Sequence, residues 1–323
     1  MSDAPVNLKI TLNSKAPQLA LIMITMLWGG TFVAVKLALN YASPMFFVGC
    51  RFAAAALAVA LISLPHLRAV QAKELWAGAL IGASLTVGYG TQTVGLQTIS
   101  SSESAFLTAL YVPLVPILLW LLFRKRLHIM IWLGASCAFI GLVLLTGNGL
   151  GQLQLSFGQL ITLLGAIAIA LEIILISHFA GRVNLQRVTV IQLLFASLFA
   201  FLAMPLVGEQ QLPQFSWMLL LLAGGLGLAS ALVQLVMNWA QRAVSPAQAA
   251  IIYAGEPVWA SLFGRLAGER LPFMALVGGF LVVLGVIISE WKPKFLRQKQ
   301  QHTHQRAIFR TKFREDRSDD SDI

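Results

Sequence analysis

The stretch AIIYAGEPVWASLFGRLAGERL, Ala250 to Leu271, sets a glutamate and a proline in the middle of an apolar run. A second stretch, TALYVPLVPILLWLLFRKRL, Thr108 to Leu127, reads nearly the same when shifted by 144 residues. Pro113 then falls on Pro257, Arg126 on Arg270 and Leu127 on Leu271, whereas Val112 faces Glu256 and Lys125 faces Glu269. The same offset pairs Gln97 with Gln241, Ser101 with Ser245, Ala105 with Ala249, Leu122 with Leu266, Gly134 with Gly278 and Gly141 with Gly285. An offset held this long without gaps marks an internal repeat. Earlier in each copy the match is only approximate, and the repeat is extended there as an expectation.

What surrounds the repeat belongs in lipid. The chain is 58% hydrophobic and 11% charged, with a mean hydropathy of +0.78, where a soluble protein carries about a quarter charged residues. Nine of the 23 basic residues also lie from Trp291 onward, so the rest is poorer still in charge. Runs long enough to span a bilayer, about 20 residues, lie near 18–39, 44–64, 75–96, 103–123, 128–146, 158–179, 187–207, 216–240, 246–264 and 273–290. The runs are continuous, without the alternation of a barrel strand, and lipid leaves unpaired backbone no other partner than a helix. The expectation is an all-α integral membrane protein of about ten transmembrane helices.

Five spans per copy make the second copy enter the membrane from the opposite side, so the halves are expected as inverted repeats. The resulting plan is a cytoplasmic segment 1–17, a first repeat 18–146, an external loop 147–157, a second repeat 158–290 and a cytoplasmic, disordered tail 291–323. Alternating sides from a cytoplasmic amino terminus puts Lys9, Lys15, Arg68, Lys73, Arg124 to Arg126, Arg182, Arg187 and Arg242 inside. The outer loops hold no Lys or Arg until Arg270, with Arg265 just before it, beside Glu269. That is the positive-inside bias. The net charge of +10 therefore reports orientation in a cytoplasmic (inner) membrane, with both termini cytoplasmic, and not a nucleic-acid partner. The first apolar run is too long for a cleaved signal peptide. Cys50 and Cys137 fall inside spans and suggest neither a disulfide framework nor a metal site.

Trp28-Gly-Gly-Thr-Phe-Val-Ala-Val-Lys36 resembles the opening of the EamA-type repeats of the drug/metabolite transporter superfamily. Glu256-Pro-Val-Trp-Ala-Ser-Leu-Phe-Gly, followed by Gly268-Glu-Arg-Leu271 and a glycine-spaced last helix, resembles the end of the second repeat. The resemblance covers roughly 18–290. It implies a ten-helix inverted-repeat permease of the cytoplasmic membrane that moves small metabolites, often outward and often amino acids or related compounds. The chain departs from the pattern at Lys125, where first repeats commonly carry the glutamate seen here as Glu269.

Charge inside a span marks a pathway or a paired structural group. Glu256 lies near the midplane, with Pro257 freeing a carbonyl one turn earlier; it is expected to contact a substrate amine or carry a coupling proton, or else to pair with Arg51 or backbone. Pro113 and Pro116 weaken the fourth span at the matching depth, so the fourth and ninth helices are expected to kink. Glu172, deep in the sixth span, suits a proton relay or a structural pair. Arg51 either snorkels outward or receives a substrate carboxylate. Tyr89 and Gln92 make one turn of the third span polar, Gln234 and Asn238 share a face of the eighth, and Tyr111 and Tyr253 flank the kinks. These side chains line a passage or bond between helices. Lys36 is expected to snorkel, Glu103 to sit at a helix N-terminus, and Trp28 and the paired glycines to pack.

Neither a phosphate-binding loop, HExxH nor CxxC occurs, so no enzyme, cofactor or metal is expected. The expected partners are a small-molecule substrate, the bilayer, and a proton or counter-substrate. Two alternatives remain: translocation of a lipid or lipid-linked sugar, and a membrane sensor that moves nothing.

Overall fold

The computed structural model describes residues 15–124, 129–145, 155–270 and 273–290. Lys125, Arg126, Leu127, Leu271, the 147–154 part of the external loop and the tail lie outside them. The described residues are helical throughout, with no strand. In chain order the helices are α1 (Ala16–Ala38), α2 (Pro44–Ser63), α3 (Ala72–Gly95), α4 (Ser101–Thr108), α5 (Tyr111–Phe123), α6 (Ile129–Leu145), α7 (Phe157–Phe179), α8 (Leu185–Ala203), α9 (Trp217–Ala240), α10 (Pro246–Tyr253), α11 (Glu256–Leu266) and α12 (Phe273–Glu290). Short 3-10 turns follow α2 and α8.

Six stretches of the described residues are long and apolar enough to cross a membrane: α1, α2 with its following turn, the α4–α5 run, α7, α8 and α9. Burial is inverted relative to a soluble protein. Leu57, Leu61, Leu121, Leu202 and Leu221 are exposed, whereas Arg51, Glu172, Gln192, Gln234 and Glu256 are buried. The solvent such a surface suits is lipid. This is a multi-pass membrane protein.

The fourth and ninth spans break outright where a kink was expected. Each is two short helices joined by a turn, at Ala109–Leu110 and at Ala254–Gly255. Proline explains the position, because it has no N–H for the carbonyl four residues earlier: Pro113 forsakes Ala109 and Pro257 forsakes Tyr253. At the first break the Val112 N–H turns back to Ala109 O at 3.0 Å; at the second the Gly255 N–H bonds Ile252 O at 3.2 Å. Pro116 lies inside α5 without interrupting it.

The packing is paired. α3 rests on α7 and α8 as α9 rests on α1 and α2, α1 meets α11 as α7 meets α5, and α2 with α8 and α6 with α12 close the bundle. Gly134 and Gly141 on α6 and Gly278 and Gly285 on α12 are buried in a pair of helices that pack together. There the Cys137 thiol donates to Leu281 O at 3.4 Å, and these two positions are the same place in the repeat. At Gly29 an added Cβ would stand 2.8 Å from Ala260 N and 2.9 Å from Glu256 O, so the glycine after Trp28 lets α1 touch the start of α11.

Carboxylates fasten the helix ends. Glu209 accepts from Ser43 Oγ at 2.6 Å and from the Met45 N–H at 2.8 Å, capping α2. Glu74 accepts from the Asn184 N–H at 3.1 Å and pairs with Arg187 at 3.4 Å, holding α8. Glu269 accepts from the Ser101 N–H at 2.8 Å and the Ser102 N–H at 3.2 Å, capping α4. Burial pushes the Glu269 carboxyl up, but those bonds and the Lys36 charge outweigh it and hold it below the usual carboxylate range.

Overpacking at a close helix contact costs about 1–3 kcal/mol. Gly29→Ala is therefore expected to lower the melting temperature in detergent by several degrees. Gly225→Ala, whose Cβ meets nothing within 4 Å, is the control and should leave it unchanged.

Candidate functional site

The two breaks face each other. Tyr111 is the first residue of α5 and Glu256 the first of α11, and the Tyr111 hydroxyl donates to Glu256 Oε2 at 3.2 Å. Both side chains are wholly buried. Glu256 opens α11, where the helix N-terminus favours negative charge. Glu256 Oε1 has no hydrogen-bond partner.

A second carboxylate stands nearby. Glu172 on α7 is fully buried, accepts from Gln234 Nε2 at 3.0 Å through Oε1, and leaves Oε2 without a partner. From Gln234 the chain of amides continues: Gln192 Nε2 donates to Gln234 Oε1 at 2.7 Å, and Asn238 Nδ2 donates to Gln192 Oε1 at 3.2 Å and Gln234 O at 2.9 Å. A parallel string runs through α10, where Gln241 Nε2 donates to the Tyr253 hydroxyl at 3.1 Å and Ser177 Oγ to Gln241 Oε1 at 2.8 Å.

Aromatic rings close the cluster. Trp28 lies parallel to Tyr89 at 6.2 Å between centroids and edge-on to Tyr253 at 5.8 Å. Its indole N–H is buried and unpartnered, more than packing requires. The Arg51 guanidinium sits 5.1 Å from the centre of the Tyr89 ring, a cation–π distance, and its Nε donates to Ser230 Oγ at 2.7 Å. Tyr89 is within electrostatic reach of Arg51, Glu172, Glu256 and Gln234 together.

The structure therefore gathers Glu256, Glu172, Arg51, Tyr89, Tyr111, Gln234, Asn238 and Tyr253 into one polar cluster. Gln92 stands apart, donating to Thr108 Oγ1 at 3.0 Å. Arg51 is buried on Ser230, so it neither snorkels nor has Glu256 as its described partner. Lys36, in the last turn of α1 and with its side chain 41% exposed, carries its ammonium to the helix end, where it donates to Ile99 O at 3.0 Å and lies 3.6 Å from Glu269. Glu103 does sit in the first turn of α4, behind the Ser100 cap. Gln192 is the member that sequence reasoning missed. Its signal was present, an amide deep in the run Ile191-Gln-Leu-Leu194, and it occupies the same rank in α8 as Arg51 does in α2. Among the described residues no three His, Cys, Asp or Glu side chains could hold a metal ion.

Residues 16–147 and again 156–291 match the EamA-like transporter family. The chain belongs to that family. An uncharacterized transporter of Archaeoglobus fulgidus is 30% identical over 271 residues, covering 84% of each chain. The uncharacterized inner membrane transporter YedA of Escherichia coli K12 is 28% identical over 284 residues, 83% of this chain and 89% of that one. A protein of known crystal structure, 18% identical, aligns with a TM-score of 0.63 over 85% of this chain and 96% of its own, a likeness of fold alone.

An interhelical hydrogen bond inside a membrane averages about 0.6 kcal/mol and reaches about 1.7. Gln192→Leu strips partners from both Gln234 and Asn238, so a loss of about 1–3 kcal/mol is expected from two such bonds. Thermal unfolding in detergent checks it; an unchanged midpoint would make the amide chain incidental.

Proposed function

We propose that this EamA-like protein is a secondary transporter that carries a small polar metabolite, an amino acid or related compound first among them, outward across the cytoplasmic membrane. In this reading ten spans form two inverted five-helix repeats, both termini are cytoplasmic, and the cluster at the helix breaks is reached from each side in turn. The observation that carries it is the Tyr111–Glu256 contact, a carboxylate with one unpartnered oxygen where two broken helices meet. Substrate and ion sites in inverted-repeat transporters are built from such discontinuous helices.

Two features support the architecture. The helix packing keeps its pattern when the first five spans are exchanged with the second five, as a two-fold relation between repeats requires. The Cys137–Leu281 bond joins equivalent positions, as expected beside such an axis. For the cargo, Arg51 and the carboxylates Glu172 and Glu256 place opposite charges around one set of aromatic walls. A molecule carrying both an amine and a carboxylate satisfies them. Coupling to a proton or to a counter-substrate would act at Glu256 or Glu172, the two acids buried in the cluster.

One observation favours the lipid alternative. An apolar groove of about 440 Å³ opens between α1, α9 and α11, lined by Met23, Met26, Leu27, Gly225 and Phe263, and it would suit an acyl chain.

A mass-spectrometric survey of the medium separates the readings. Cells with wild-type protein are compared with cells carrying Glu256→Gln at equal membrane level. The expected result is a polar amine-bearing compound enriched outside with wild type and at least tenfold less with Glu256→Gln. Enrichment by both proteins would remove Glu256 from the route. Enrichment by neither, with altered lipid composition, would favour the second reading.

A further inference from the structure

The N-termini of α4 and α10, equivalent in the repeat, are fastened differently. At the end that carries the α4 N-terminus, four elements are drawn together. Glu269, just past α11, accepts from the Ser101 and Ser102 N–H groups and from Ser102 Oγ at 3.2 Å. Lys36 at the end of α1 reaches the same carboxylate and Ile99 O. Gln159 in the first turn of α7 donates to Glu103 Oε1 at 2.6 Å, so α7 joins as well. Room for the carboxylate is made by Gly264, where a Cβ would stand 2.6 Å from both Glu269 Oε2 and Ser102 Oγ.

The repeat puts α10 at the corresponding place on the opposite end. Ser245 and Gln248 cap α10 with each other, at 3.3 Å for the Gln248 N–H on Ser245 Oγ. Among the described residues, no hydrogen bond or ion pair ties the first turn of α10 to another helix. The sequence supplies the reason. Glu269 is answered by Lys125, which has no acceptor to offer a helix N-terminus, and Glu103 is answered by Ala247. Neither of these two carboxylates is repeated at the position that corresponds to it in the other copy.

We propose that Glu269 is the latch of a gate: its carboxylate, seated on the α4 N-terminus and beside Lys36, holds that end of the bundle shut and lets go when the end opens. Under the transport reading, on which its purpose rests, that end is the outer one. Transport then opens the outer side by releasing this polar lock on α4.

The test reads opening and not cargo, so a survey that names no substrate leaves it interpretable. Ser104 is fully buried, with an unpartnered hydroxyl one turn beyond Ser101. Ser104→Cys, in a Cys50→Ala/Cys137→Ala chain, serves as the reporter for a membrane-impermeant maleimide applied to whole cells and to inside-out vesicles. Glu269→Ala is expected to speed labelling about tenfold from the face on which Glu269 lies and to leave the other face unchanged. Gly264→Ala, which wedges a methyl group into the contact and alters no charge, should act in the same direction and decides the matter where Glu269→Ala does not insert. Arg270→Ala, an exposed neighbour, should match the parent. Rates within twofold of the parent for both Glu269→Ala and Gly264→Ala overturn the latch, and so does equal acceleration from both faces.

Discussion

One hydrogen bond organises the centre of this protein: the Tyr111 hydroxyl on the Glu256 carboxylate, 3.2 Å across the place where two broken helices meet. Each break is forced by a proline that denies a carbonyl its donor, and each leaves a helix N-terminus inside the bundle. A carboxylate is costly in a membrane interior unless something answers its charge. The N-terminus of α11 and one phenol answer part of it, and the remaining lone pairs stay available. The site is thus held in place by structure and left incomplete in bonding, which is the condition for binding something else.

Around that point polar side chains are buried within an apolar core, and large apolar side chains also cover the outside. Bonds among Glu172, Gln234, Gln192 and Asn238 satisfy most of what is buried, while glycines permit the close helix contacts that hydrophobicity cannot drive in lipid. The two halves use one scaffold for different chemistry. Arg51 over Tyr89 in the first half corresponds in helix rank to Gln192 bonded to Gln234 in the second. A repeated fold gives symmetry of shape, and substitution within it gives the two faces different charge.

Much of this was legible in the chain. Hydropathy alone marks an all-helical membrane protein, the 144-residue offset marks the repeat, and midspan charge marks Glu256, Glu172 and Arg51. Their assembly into one cluster was not legible, because the distance between spans is set by packing that no single span encodes. Gln92 shows the limit: it looks as polar as Tyr89 three residues earlier, yet the helix packed beside it supplies Thr108 as its partner. Prolines predicted the place of the breaks but not their completeness, and Pro116, equally visible, is absorbed into α5. Glu269 reads in sequence as a loop charge near an orientation boundary; its role as a cap depends on α4 arriving from 168 residues away.

The central claim is that Glu256 and Glu172 serve one site. Effects at one site are not additive, whereas independent sites add. The direct measurement is release of a loaded cell-metabolite extract from proteoliposomes containing wild type, Glu256→Gln, Glu172→Gln or the double variant, followed by mass spectrometry. The account expects the same compounds to be slowed in both single variants, and the double variant to be no slower than the worse of them. Losses that multiply, or two variants that slow different compounds, would contradict it.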